Sequence, residues 1–139
     1  MTIVGPLRAI VYAATEGKQM DVTAKLVEVR ADGYARIIDE GIKRGPDGAP
    51  LGKVEPIEPG QVKPYTIEMG KTAITIPAGN RLRVEIASSN FPKYTRNPNT
   101  GESPESATEF KAAREIVWHS KDFPSHVVLP VLAAHEPNR

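Results

Sequence analysis

The chain has 139 residues, enough for one domain with a single hydrophobic core, and its 18 basic and 17 acidic side chains leave a net charge of +1. Both signs are spread along the whole length, so no clustered basic face exists to release counterions from nucleic acid or to hold an anionic lipid surface, and neither partner is expected. The absence of cysteine excludes a disulfide framework, a thiolate metal site and a cysteine nucleophile. No apolar run approaches the length of a membrane span. The segment Met1 to Thr15, interrupted by Arg8, lacks the layout of a signal peptide, so a cytoplasmic setting is expected.

Prolines and glycines fall mostly between short apolar segments, which reads as many short strands and little helix. In chain order, Leu7, Ala9, Val11 and Ala13 alternate with Arg8, Ile10, Tyr12 and Ala14, giving a first strand with one more apolar face. Val22 to Val29 is a second strand, rich in β-branched residues. Asp32-Gly33 is a turn dipeptide whose glycine accepts positive φ, so Tyr34 to Ile42 should return antiparallel. The proline- and glycine-rich stretch 44–64 reads as a surface loop. Tyr65 to Met69 places Tyr65, Ile67 and Met69 on one face, and Ala73 to Ile76 leads into a turn at Pro77 to Asn80. Arg81 to Ala87 is the cleanest alternation, with Leu82, Val84 and Ile86 inward and Arg81, Arg83 and Glu85 outward.

Phe91 to Thr108 reads as a long polar connection. Ser103-Pro104-Glu105 could cap a short helix through Phe110 to Arg114. The competing strand at Arg114 to His119 is favoured, because Ile116 and Trp118 alternate with Glu115 and Val117. Val127 to Leu132 closes the set, and His135 to Arg139 is a polar tail. About eight strands with long crossing loops form the pattern of a single all-β domain, residues 1–139, built as an antiparallel jelly-roll β-sandwich.

No constellation in the sequence carries chemistry convincingly. A serine hydrolase presents its nucleophile in Gly-x-Ser-x-Gly, and none of Ser88, Ser89, Ser103, Ser106, Ser120 and Ser125 is flanked by glycines. Ser125 and His126 are neighbours on a strand and point to opposite faces. His119, Asp122 and His126 include zinc-binding residue types, but without helical spacing or a fourth ligand they read as a connection between strands, so no metal and no other cofactor is expected. The run Ser88 to Gly101 stands out, because a turn needs proline, glycine or asparagine but not an aromatic, an arginine and three asparagines in this order. Phe91, Tyr94, Asn90 and Asn97 together could offer an aromatic and amide platform to a sugar, which is the alternative reading: a stand-alone carbohydrate- or ligand-binding sandwich.

Ordered motifs along nearly the whole chain resemble the carboxyl-terminal, non-catalytic domain of the cocaine esterase and X-Pro dipeptidyl-peptidase (CocE/NonD-type) serine hydrolases. They comprise Gly5-Pro6-Leu7-Arg8-Ala9, Asp21 to Val29, Asp39-Glu40-Gly41-Ile42, Pro77 to Ile86 with Asn80 where the family commonly has histidine, Ser88 to Gly101, and His119 with Pro124 to Val131. The resemblance implies a galactose-binding-domain-like jelly roll that packs on the α/β-hydrolase and cap domains of the same parent chain, bracing the active-site region and the oligomer. It implies no catalytic residue in this chain. By the same resemblance Asn90, Phe91, Pro92, Tyr94, Arg96, Asn97, Asn99, Trp118, His119 and His126 are candidates for the surface that meets the rest of the enzyme. An apolar patch near Phe91, Tyr94 and Trp118 is expected there.

Overall fold

The computed structural model describes residues 1–48 and 56–133, and among them there is no helix. Seven strands are formed by the described residues: β1 (Thr2–Thr15), β2 (Asp21–Val29), β3 (Ala35–Arg44), β4 (Lys63–Thr75), β5 (Arg81–Ala87), β6 (Glu115–Trp118) and β7 (His126–Val128). One sheet has the order β4-β1-β6, with β7 also on β1, and the other has the order β3-β2-β5. Every pairing is antiparallel. β6 and β7 lie end to end along one edge of β1, opposite Tyr12 to Thr15 and Arg8 to Ile10 respectively.

The two sheets enclose the core that the alternation predicts. Leu7, Ala9, Val11 and Ala13 of β1, with Tyr65, Ile67 and Met69 of β4 beside them in the same sheet, face Val22, Ala24 and Leu26 of β2, and all are buried in one cluster. Strands with a period of two can present such a face only when register is fixed, and both long pairings carry one register shift each. Burial in this core also pushes the Tyr65 phenol well above its ordinary pKa, with the charges of Glu115, Asp21 and Asp47 adding to the effect.

Several elements differ from the sequence expectation, each for a local reason. β4 is one strand where Tyr65 to Met69 and Ala73 to Ile76 were expected as two, because Gly70, at φ 96°, sits at the register shift and lets pairing with β1 resume at Lys71. β1 begins at Thr2 and not at Leu7, since Thr2 to Pro6 pair with the later half of that same long strand. The hairpin at Asp32-Gly33 forms as expected: Gly33 has φ 88°, and the Tyr34 amide donates to Asp32 Oδ1 at 2.9 Å. Its return strand starts at Ala35 and continues to Arg44.

The favoured strand at Arg114 to His119 forms as β6, and the alternative helix from Ser103 is only a turn, closed by the Ala107 amide donating to the Ser103 carbonyl at 2.9 Å. Helical bonding does not continue because the next backbone groups are claimed elsewhere. The Lys111 amide donates to Pro98 O, the Lys111 carbonyl accepts from Asn99, and the Arg114 carbonyl accepts from the Glu16 amide. The last strand is shorter than Val127 to Leu132, because Pro130 has no amide to donate; Val131 returns to bridge Ile3. Within 44–64, Arg44 ends β3 and Lys63 and Pro64 begin β4; residues 49–55 and the tail from His135 onward lie outside the described residues.

The sandwich is closed along one side and open along the other. On the closed side Gly41 of β3 lies so close to the Glu68 carbonyl of β4 that a side chain there would overlap it, and Gly70 lies equally close to the Asp39 carboxylate. On the open side β5 faces the short strands β6 and β7, and a groove of about 360 Å³ runs between the sheets. Val84 shows the consequence. Its register partner Leu26 is buried, so it points inward as the alternation predicts, yet it is 40% exposed because it opens into this groove.

Candidate docking surface

The segment from Ser88 to Arg114 is held on the sheet by two acidic hubs. Asp21 opens β2 and its side chain is only 1% exposed. It accepts from Arg44 Nε at 3.0 Å and Nη2 at 2.7 Å, and from the Asn97 amide at 2.7 Å. The same Arg44 Nη2 also donates to the Thr95 carbonyl at 3.1 Å. A desolvated carboxylate is tolerated here because every lone-pair direction finds a donor. Glu40 of β3 is the second hub, accepting from Asn90 Nδ2 at 2.8 Å and Lys93 Nζ at 2.7 Å. The Lys93 ammonium is the main reason its carboxyl sits below the ordinary range, burial opposing it and Asn90 assisting. Asp21–Arg44 and Lys25–Glu40 are both cross-strand partners of β2 and β3, so the loop rests on the outward face of that hairpin.

A third acid stabilises the other end of the hairpin. Glu28 faces its cross-strand partner Arg36, whose Nη2 donates at 2.6 Å, and Asn80 Nδ2 donates to the other oxygen at 2.7 Å. The Asn80 hydrogen bond is the largest influence lowering the Glu28 pKa; burial works against it, and Arg36 adds to the lowering. The turn at Pro77 to Asn80 is thereby tied to β2.

All three asparagines of the distinctive run are therefore used inside the fold. Asn90 and Asn97 serve the two hubs. Asn99, at φ 60°, is tied within the fold: its amide N–H donates to Asn97 Oδ1 at 2.9 Å, its side chain donates to the Lys111 carbonyl at 2.9 Å, and its carbonyl accepts from the Lys18 amide. Their order is fold chemistry after all. Since Asn90 and Asn97 donate to Glu40 and Asp21, the amide groups of the sugar platform are already engaged. What the loop leaves outward is Phe91, 65% exposed, with the exposed Pro92 beside it, and the exposed Arg96 and Phe110. The Arg96 guanidinium stacks 4.7 Å from the Phe110 ring centre, and Phe91, Thr95, Arg96, Pro104 and Phe110 line an open depression. Tyr94 is half-buried, with the Lys93 ammonium 5.7 Å from its ring centre.

Trp118, His119 and His126 belong to the other sheet. Phe123 packs at 5.8 Å against both Tyr12 and Trp118, on the outward face of β1 and β6. His119 bridges to Pro124, and His126 Nδ1 lies 2.7 Å from the Pro124 carbonyl. Ser125 is a structural residue: its hydroxyl accepts from the Tyr12 amide at 2.9 Å and donates to the Trp118 carbonyl at 2.7 Å, completing the ladder where β6 ends. Among the described residues no group of three His, Asp or Glu side chains is arranged to hold a metal ion.

Sequence reasoning missed Asp21, Glu28, Glu40 and Arg44. A signal was present: Asp21 stands between Met20 and Val22, and Glu28 between Val27 and Val29. A single acid inside an apolar strand is either exposed by alternation or paired, and here a basic residue lies at the matching position of the returning strand.

Two antiparallel sheets packed around one core, with a long polar loop laid across the outer face of the β2–β3 hairpin, define a β-sandwich. The chain belongs to the family of X-Pro dipeptidyl-peptidase C-terminal non-catalytic domains, whose model matches residues 1–128. It is 35% identical over 132 residues to the cocaine esterase of Rhodococcus sp. (strain MB1 Bresler), covering 94% of this chain and 23% of that protein. An α-amino acid ester hydrolase superposes with a TM-score of 0.88 at 26% identity, covering 94% of this chain and 23% of the other. An aminopeptidase from a Thaumarchaeota archaeon gives a TM-score of 0.84 at 26% identity, over 95% of this chain and 24% of the other. The chain thus spans about a quarter of the length of the relatives it matches.

Proposed function

We propose that this chain is the accessory sandwich of a serine-dependent hydrolase of the acyl-esterase or X-Pro-peptidase class, bracing the catalytic α/β-hydrolase and cap domains and the oligomer they form. The observation that carries the reading is the quarter-length match to relatives named for ester and peptide hydrolysis. The exposed Phe91, Arg96 and Phe110 support it, because aromatic and arginine side chains are those that contribute most at protein–protein contacts. The test is the reading frame that contains the chain. A continuous frame encoding Gly-x-Ser-x-Gly on the amino-terminal side, whose product is labelled by a fluorophosphonate at that serine and hydrolyses an aryl ester, is the expected result. Labelling of a serine within residues 1–139 overturns it.

A further inference from the structure

The open side of the sandwich has the form of a vacant strand position. β5 ends one sheet and β6 and β7 end the other, so among the described residues the outer edge of each has no partner. Between these edges Val84 and Ile86 of β5 oppose Val11, Val117 and Val127 of the other sheet across the groove of about 360 Å³. By register Val117 pairs with Ala13, and Val127 with Ala9, both buried core residues, so these valines point inward although Val117 is 37% exposed. A lining of β-branched side chains at alternate positions is how a sandwich core continues, and the edge of β5 that pairs with no described strand suits an extended chain better than a helix or a small solute.

We propose that this groove receives one further strand, an extended segment with alternating apolar residues that adds to the free edge of β5 and seals the core over Val84, Val117 and Val127. The occupant is a segment from the amino-terminal side of the parent polypeptide. The relatives carry about three quarters of their length outside the matched region, and the matching family is a carboxyl-terminal domain. This identification of the occupant rests on the function proposed above; the strand vacancy does not.

The test titrates the isotope-labelled 139-residue chain with two probes: a soluble nine-residue peptide alternating valine and threonine, and overlapping fifteen-residue peptides from the frame on the amino-terminal side. The expected result is saturable amide shifts along Arg81 to Ala87 and at Val117 and Val127, with hydrogen exchange along β5 slowed at least tenfold. Val84→Glu and Val117→Lys, one on each lip, should each weaken binding at least tenfold, while Phe91→Ala leaves it unchanged. Shifts confined to Phe91 and Phe110, no binding at millimolar peptide, or self-association of the chain through β5 in place of binding overturns the proposal. Binding of the alternating peptide with none of the frame-derived peptides overturns the occupant alone. A frame without a catalytic serine sinks the functional reading and leaves the groove measurement intact.

Discussion

Asp21 and Arg44 are cross-strand partners whose side chains meet in a fork, with Nε and Nη2 of the arginine on the two carboxylate oxygens at 3.0 and 2.7 Å. The aspartate is almost wholly out of water, while the arginine reaches from it to the Thr95 carbonyl. One pair thus fixes the start of the β2–β3 hairpin and the middle of the long loop.

Arg44→Ala should cost about 3–5 kcal/mol, because it leaves a buried carboxylate short of its cation. Urea unfolding monitored by tryptophan fluorescence measures it. Hydrogen exchange should also accelerate at Asn97 and Asn99, whose order depends on the same hub. A loss below about 1 kcal/mol would mean that the pair is surface-like.

Gly41→Ala and Gly33→Ala should separate two uses of glycine. At Gly41 the added carbon collides with the Glu68 backbone oxygen, which cannot move without parting the sheets, and a loss of roughly 3 kcal/mol or more is expected. At Gly33 the space is empty and only the left-handed backbone is strained, so the loss should be about 1–2 kcal/mol. Paired thermal and urea melts check the order of the two.

The acids should respond to pH in opposite senses. Glu28 and Glu40 have folded-state pKa values below the ordinary 4.5, so their contribution is complete above that pH and is lost as pH falls through the depressed values. Asn80→Ala should therefore weaken the fold at neutral pH and lose its effect in acid. Glu115 is raised, chiefly by desolvation and further by Asp21, while Ser88 opposes. Its favourable state is the protonated one, present below 4.5 and lost as pH rises through the elevated value. Glu115→Gln should stabilise the protein at neutral pH and be nearly silent near pH 3. Stability against pH for the two variants gives the signs directly.

Ser125→Ala should cost about 1–2 kcal/mol, because the Tyr12 amide and the Trp118 carbonyl lose their shared partner. It should leave any ester hydrolysis by a parent enzyme unchanged in kcat. A selective fall in kcat with stability preserved would give this hydroxyl a chemical role.

The sheets were legible in the sequence wherever a strand had one face to bury. The alternations of Leu7 to Ala13, Tyr65 to Met69 and Arg81 to Ala87 point the way the structure does. Continuity was harder to read, since Gly70 looks like a break and acts as a bulge that joins two halves of β4. Periodicity also fixes direction and not depth: Val84 faces inward and stays exposed because its neighbours across the groove are short strands. In the loop, residue type alone does not distinguish an asparagine that meets a partner from one that meets Asp21. That difference depends on Arg44, more than fifty residues away in the chain from Asn97, and on how the hairpin places it.

Because Asn90 and Asn97 turn toward the hairpin and Asn99 binds back to the Lys111 carbonyl, the loop separates its scaffolding from its outward display. Phe91, Arg96 and Phe110 are decorations on a frame that does not need them. A library randomised at those three positions should keep the native melting behaviour while sampling new adhesive surfaces, so the segment could be re-addressed to a different neighbour without rebuilding the domain beneath it.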